Sequence, residues 1–251
     1  MSSSSTAFRP NRISPVCRTT EWFGAPGKPG RAGPLTDMLG ELPTTGISYC
    51  VCDDRAVFLD VERDRYFCLP SQLNQAFVRT VIDGDAMASA DAERLRALGI
   101  EDPAPRDFAA RRNTHAMPTK EMALSDKASS VLRAGATHWL VQSRLKRWPF
   151  ARLLAYEQRR APRRSHNPST QTLAKLHAAF RRASLWMGEA DQCLARSIAF
   201  RMLAFRLGFA PTLVLGIKLD PFAAHCWVQS EDCVANDSLE RVRCFTPILA
   251  F

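Results

Sequence analysis

Glu189-Ala-Asp-Gln-Cys193-Leu-Ala-Arg-Ser197 is the stretch on which the reading of this chain turns. The polar turn Met187-Gly188-Glu189 precedes it, and Leu194, Ile198, Met202 and Phe205 follow at helical spacing up to Gly208. This pattern predicts an amphipathic helix with a glycine stop. Asp191 is the N-cap candidate, which puts Cys193 in the first turn. Unpaired backbone N–H groups and the positive end of the helix dipole favour an anion there, so a thiol gains thiolate character. The same N–H groups can hold the oxyanion of a tetrahedral intermediate. The plainer alternative for a lone cysteine is a small apolar residue that opens a helix.

Downstream, Thr212–Ile217, His225–Gln229 and Cys233–Asp237 read as three strands. Upstream, Asn167-Pro-Ser169 starts a helix with the stripe Leu173, Leu176, Phe180 and Leu185, and a longer helix spans Glu121 to Arg160 with a break at Pro149. Residues 119–251 are therefore expected to place helices first and an antiparallel sheet after, an α+β arrangement. Further upstream the period changes to two. Gly46–Cys52, Ala56–Val61 and Tyr66–Leu69 read as a meander whose turns are Asp53-Asp54-Arg55 and Glu62–Arg65. Helices follow from Pro70-Ser71 to Asp83-Gly84 and from Ala88 to Leu98. Residues 45–100 thus form a small unit that suits binding rather than catalysis. Residues 101–118, with three prolines, read as a linker, and residues 1–40, rich in Ser, Pro, Gly and Arg, as a disordered leader.

At 251 residues and 46% hydrophobic, the chain can bury a real core in one or two domains. The net charge of +9 permits an acidic partner and serves solubility equally well. No apolar run approaches the ~18 residues of a membrane span. The start Met1-Ser-Ser-Ser-Ser-Thr-Ala-Phe8 lacks the apolar core of a secretory signal, so a cytoplasmic protein with reduced thiols is expected. The basic run Arg144, Lys146, Arg147, Arg152, Arg159, Arg160, Arg163 and Arg164 is opposed only by Glu157. It reads as a solvated or docking helix face, because no aromatic or glycine interleaving marks a nucleic-acid motif.

A thiolate nucleophile needs a base, and the base needs an orienting group. His225 is the only histidine after Cys193, flanked by Pro221-Phe222 and Trp227; His115, His138, His166 and His177 have no acid at a telling distance. Asp220, Asp232, Asn236 and Asp237 are the candidates for the third group. If Ser230, Glu231 and Asp232 form a three-residue loop, Gln229 pairs with Cys233 and His225 faces Asp237. A two-residue loop would set His225 opposite Ser238 instead. A zinc site drawn from Cys193, His225, Cys226, Cys233 and Cys244 competes. It is disfavoured because His225 and Cys226 point to opposite faces of a strand.

Cys193-Leu-Ala-Arg-Ser197, Pro221-Phe-Ala-Ala-His225-Cys-Trp-Val228, Asn236-Asp237 and Phe245-Thr-Pro-Ile-Leu249 together resemble the B protein of lasso-peptide biosynthesis. That protein is a leader peptidase with a transglutaminase-like, papain-related cysteine protease domain. The resemblance implies Cys193 as nucleophile, His225 as base and Asp237 as orienting acid; no metal and no cofactor are expected. Cys226 departs from the alanine common in the family, and the hairpin turn lacks glycine.

The meander, through Val57-Phe-Leu-Asp60 and Asp64-Arg-Tyr-Phe-Cys-Leu69, resembles the family's PqqD-like, winged-helix leader-recognition element. The implied edge is Tyr66, Phe67, Cys68 and Leu69, walled by Leu95 and Leu98. The implied partners are a precursor peptide, bound through its leader, and an asparagine-synthetase-like lasso cyclase, with neither membrane nor nucleic acid. Deleting residues 1–100 is then expected to weaken leader binding and leave the triad geometry intact. The alternatives are a non-enzymatic winged-helix protein that contacts nucleic acid, and an acyltransferase with the same triad.

Overall fold

The computed structural model describes residues 46–100, 115–116, 128–160, 170–187, 192–230 and 233–251. Strands β1 (Ile47–Cys52), β2 (Arg55–Asp60) and β3 (Arg65–Cys68) form the expected antiparallel meander in the order β1-β2-β3. Its tight turns force Asp53, Asp54 and Asp64 to φ of 48°, 59° and 50°. Aspartate tolerates that left-handed region because its short carboxylate bonds locally to the backbone. Helices α1 (Ser71–Asp83) and α2 (Ser89–Ala97) follow. Asn74 ties α1 to the first turn, its Oδ1 accepting from Ala56 N–H at 2.8 Å and its Nδ2 donating to the Asp54 carbonyl at 3.1 Å.

The two faces of this sheet have different fates. Ile47, Tyr49, Phe58, Phe67 and Leu69 pack against Leu73, Phe77 and Leu95 of the helices. Ring centroids there lie 5.0 Å apart for Tyr49 and Phe77 and 5.1 Å apart for Phe58 and Phe77. The opposite face, with Cys50, Val57, Leu59, Tyr66 and Cys68, enters the main core of the remainder of the chain. The wholly buried Ser48 hydroxyl donates to the Ile248 carbonyl across that seam.

That remainder begins with the short strand β4 (His115–Ala116), inside the segment read as a linker, and continues with helices α3 (Ala128–Arg147), α4 (Phe150–Arg159), α5 (Thr170–Met187) and α6 (Cys193–Arg206). Strands β5 (Thr212–Lys218), β6 (Ala223–Ser230) and β7 (Cys233–Val234), the short helix α7 (Leu239–Val242) and strand β8 (Thr246–Ala250) complete it. The sheet order is β4-β7-β6-β5-β8, antiparallel except for the β4–β7 pair. The α+β expectation holds.

Helix α6 is not amphipathic, as its spacing had suggested. Ile198, Ala199, Phe200 and Ala204 are all fully buried, and of the residues from Leu194 to Ala204 only Arg196 is more than slightly exposed. A helix apolar on every side belongs at the centre of a domain; α6 is covered by α3, by α5 and by β6.

Other expectations shift. Pro149 separates α3 from α4 as anticipated, but Leu185, placed on the buried stripe of α5, is 80% exposed. β7 stops at Val234 instead of reaching Asp237. β8 appears where no strand was predicted, with Pro247 inside it. Trp148 and Tyr156 do interleave with the basic run, receiving Arg144, Arg152 and Arg160 on their ring faces. Glu157, read as that run's lone opposing charge, is fully buried, and burial pushes its carboxyl up to about 7 despite Arg201 and Arg144 nearby. Cys68 is disulfide-bonded, against the expectation of reduced thiols throughout, while Cys50, Cys52, Cys193, Cys226, Cys233 and Cys244 are free. No helix among the described residues is long and apolar enough to cross a membrane. The expected leader at 1–40 lies outside the described residues.

The shared core reverses the expectation for truncation. Val57, Leu59 and Val61 each keep 3% exposure or less, and burying such a side chain contributes ~1.5–3 kcal/mol. A chain cut to residues 101–251 is expected to bind a hydrophobic dye and to lose cooperative urea unfolding. Unfolding at the full-length midpoint would contradict the shared core.

Candidate active site

Cys193 is the first residue of α6, and the preceding Gln192 has φ −109° and ψ 10° and makes no side-chain cap. Asp191, the expected N-cap, lies outside the described residues. Gln192 instead turns its Oε1 to accept from His138 Nε2 of α3 at 2.7 Å, fixing the approach to the helix. The backbone N–H groups of the first turn have no partner within the helix, so they face outward beside the sulfur.

His225 lies in β6 opposite Gly216 of β5. Trp227, two positions along the same strand, covers that glycine. A Cβ on Gly216 would meet the Trp227 ring at 2.8 Å, so only glycine leaves room. The imidazole is flanked by the rings of Phe245, 4.9 Å away between centroids, and Trp227, 6.2 Å away. Its Nε2 meets Asp237 Oδ2 at 2.6 Å, and its side chain also hydrogen-bonds Cys193. Since Asp237 occupies Nε2, Nδ1 is the nitrogen left for the sulfur.

The hairpin arithmetic predicted the right partner from the wrong register. Ser230 pairs with Cys233 and Gln229 with Val234, a two-residue loop and not the three-residue loop the assignment required. Regular pairing would carry Asp237 away from His225. The ladder breaks first. Ala235 N–H still donates to the Val228 carbonyl at 2.8 Å, but Val228 N–H donates to the Asn236 side-chain Oδ1 at 2.7 Å. The amide replaces a backbone acceptor, the chain bends over residues 235–237, and Asp237 swings onto the imidazole. Asn236 Nδ2 also donates to Ser197 Oγ at 2.8 Å, and Ser197 Oγ–H donates to the Cys226 carbonyl at 2.9 Å. One buried chain of bonds therefore joins α6, β6 and the loop that carry the sulfur, the imidazole and the carboxylate.

Electrostatics follow the geometry. Burial by itself lowers the His225 pKa, but the hydrogen bonds to Asp237 and Cys193 and the charges behind them outweigh it and lift the pKa to about 9. Burial raises that of Asp237, and the bond to His225 together with the imidazolium charge brings it below the ordinary carboxylate range.

Two histidines set aside on sequence grounds also belong here. His177 of α5 donates from Nδ1 to the Ala235 carbonyl at 3.1 Å, just ahead of the bend, and His138 braces Gln192. Burial lowers the pKa of each. Neither role had a signal in the sequence, since both depend on helix packing across the chain. Asn236, considered as the third member, serves as the clamp beside it. Asp220, another candidate, stands in the turn before β6. Among the described residues no group of three or more His, Cys, Asp or Glu could hold a metal ion, and Cys226 is buried against α6.

A family model described as the Transglutaminase-like superfamily matches residues 136–250. The match runs from α3 to the end of β8 and takes in Cys193, His225 and Asp237. Residues 136–250 are a transglutaminase-like domain. No curated protein and no solved structure matches the chain. The transglutaminase-like domain is consistent with cysteine-protease or acyltransferase chemistry.

The raised pKa of His225 stabilises the fold fully below the ordinary 6.5 and is lost as pH rises through about 9. Asn236→Ala leaves Val228 N–H and Ser197 short of partners and frees Asp237. It is expected to cost ~1–3 kcal/mol and to flatten that loss with pH. Urea unfolding across this pH range reads both effects; an unchanged slope would remove Asn236 from the role of clamp.

Proposed function

We propose that the chain is a cysteine endopeptidase that releases the leader of a ribosomally made lasso-peptide precursor. The observation that carries this is the continuous chain of hydrogen bonds from the Cys193 sulfur through His225 to Asp237. The sulfur adds to the scissile carbonyl, and the imidazole that has taken up its proton returns it to the departing amine. Asp237 holds the ring in the productive tautomer and stabilises the imidazolium. Water, deprotonated by His225, then hydrolyses the thioester. The freed amine of the core peptide becomes the substrate of a separate macrolactam-forming cyclase of the asparagine-synthetase-like kind.

The recognition part of the proposal assigns the leader to the three-stranded sheet, at β3, one of its two outer strands. The side chains first chosen for it are mostly unavailable: Tyr66, Phe67, Cys68, Leu69 and Leu95 are all buried, and only Leu98 is 46% exposed. A leader strand would therefore be held through the β3 backbone, with Leu98 as the accessible apolar contact. The PqqD-like resemblance supports this assignment, as does the closeness of the sheet to the peptidase core.

The test incubates the full chain with the short precursor encoded beside its gene and follows leader release by mass spectrometry. Cys193→Ala is expected to abolish release while leaving precursor binding intact. Cleavage by that variant at the parental rate would remove the nucleophile assignment.

A further inference from the structure

We propose that Tyr66, supplied by the N-terminal sheet, is the side-chain donor to the oxyanion formed when Cys193 attacks a carbonyl. This rests on the reading of Cys193 as nucleophile given above, and it assigns part of the reaction machinery to the half of the chain outside the transglutaminase-like domain.

Tyr66 is in β3, paired with Leu59, and its side chain points away from α1 and α2 into the core against which Cys193 and Phe222 pack. Its ring meets Phe222 edge-on at 5.4 Å, and Phe222 sits three residues before His225. The residue is 5% exposed, and its hydroxyl has no hydrogen-bond partner. It is the only side-chain hydroxyl among the described residues in that condition. A buried hydroxyl without a partner is costly, and native structures keep few of them without a use. Burial first, and then the charges of Cys226, Asp64, Cys193 and Cys50, push its pKa far up. Tyr66 is therefore a neutral O–H donor over the whole working range, as an oxyanion donor must be.

The balance of the step is simple. The sulfur forms a bond to the carbonyl carbon, and the π pair moves to oxygen. That oxygen accepts from Tyr66 O–H and from an unpaired backbone N–H in the first turn of α6. Collapse re-forms the carbonyl and expels the leaving group, which takes its proton from His225. Before the reaction the hydroxyl has no acceptor, so the bond exists chiefly in the tetrahedral state. Interactions made only there raise kcat and leave KM nearly unchanged.

Tyr66→Phe keeps the ring on Phe222 and removes only the oxygen. In the full chain, p-nitrophenyl acetate reports acylation of Cys193 by nitrophenolate release, and iodoacetamide reports the sulfur's reactivity with no oxyanion formed. Tyr66→Phe is expected to slow acylation by ~10–100-fold, in line with the loss of one oxyanion donor. Its alkylation rate should stay parental, and its urea midpoint should be equal or higher because an unsatisfied group has gone. Parental acylation by Tyr66→Phe would overturn the assignment. So would acylation and alkylation falling together, since the hydroxyl would then act on the sulfur. If the parent chain and Cys193→Ala release nitrophenolate equally, the nucleophile reading itself fails, and this proposal with it.

Discussion

The side-chain amide of Asn236 is the constraint on which the arrangement depends. It accepts from β6 at Val228, donates to α6 at Ser197 and ends the β7 ladder, all within one buried residue. A strand that continued in register would have carried Asp237 past His225. By standing in for a backbone carbonyl, the amide satisfies the ladder and diverts the chain in the same step. Ser197 then passes the connection to the Cys226 carbonyl, next to His225 in sequence. The three groups of the proposed relay are thus fixed to one another through neutral, fully partnered hydrogen bonds. In a low-dielectric interior such bonds are costly to break one at a time.

The second constraint is the shared core. One face of the three-stranded sheet is covered by α1 and α2, which leaves its other face to be buried elsewhere. Here its second face is buried by the transglutaminase-like domain, with Val57, Leu59, Tyr66 and Cys68 inside the same apolar cluster as Ile198 and Phe200 of α6. The N-terminal sheet and the helix that carries Cys193 therefore share one apolar core. The proposed leader strand would dock on a sheet whose inner face already reaches the neighbourhood of Cys193, so no flexible tether is needed to bring the peptide to the sulfur.

Much of this was legible in the sequence. The meander could be read to within a residue because its side chains alternate and its turns use Asp53-Asp54 and Asp64, which accept positive φ. Gly84 and Gly208, also at positive φ, marked the ends of α1 and α6. The sulfur, the imidazole and the carboxylate were chosen correctly as neighbours, although the pairing argument behind Asp237 required a loop one residue too long. Loop length is poorly encoded where Ser230-Glu-Asp232 offers no glycine, and the side-chain substitution at Asn236 obeys no periodic rule. The burial of Glu157, the exposure of Leu185 and the inward aim of Tyr66 depend on which surfaces meet across the chain. Periodicity within one element does not report that. Tyr66, named as part of a sheet edge, points into the main core.

The most direct test of the relay is the titration of His225 in the intact chain, followed by NMR of imidazole carbons labelled at Cε1. Contact with Asp237 and Cys193 should hold the ring protonated until about pH 9, and Asp237→Asn should bring that midpoint down. A His225 that titrates at or below its ordinary 6.5, indifferent to Asp237→Asn, would mean that burial alone governs the ring and that no relay joins the three groups.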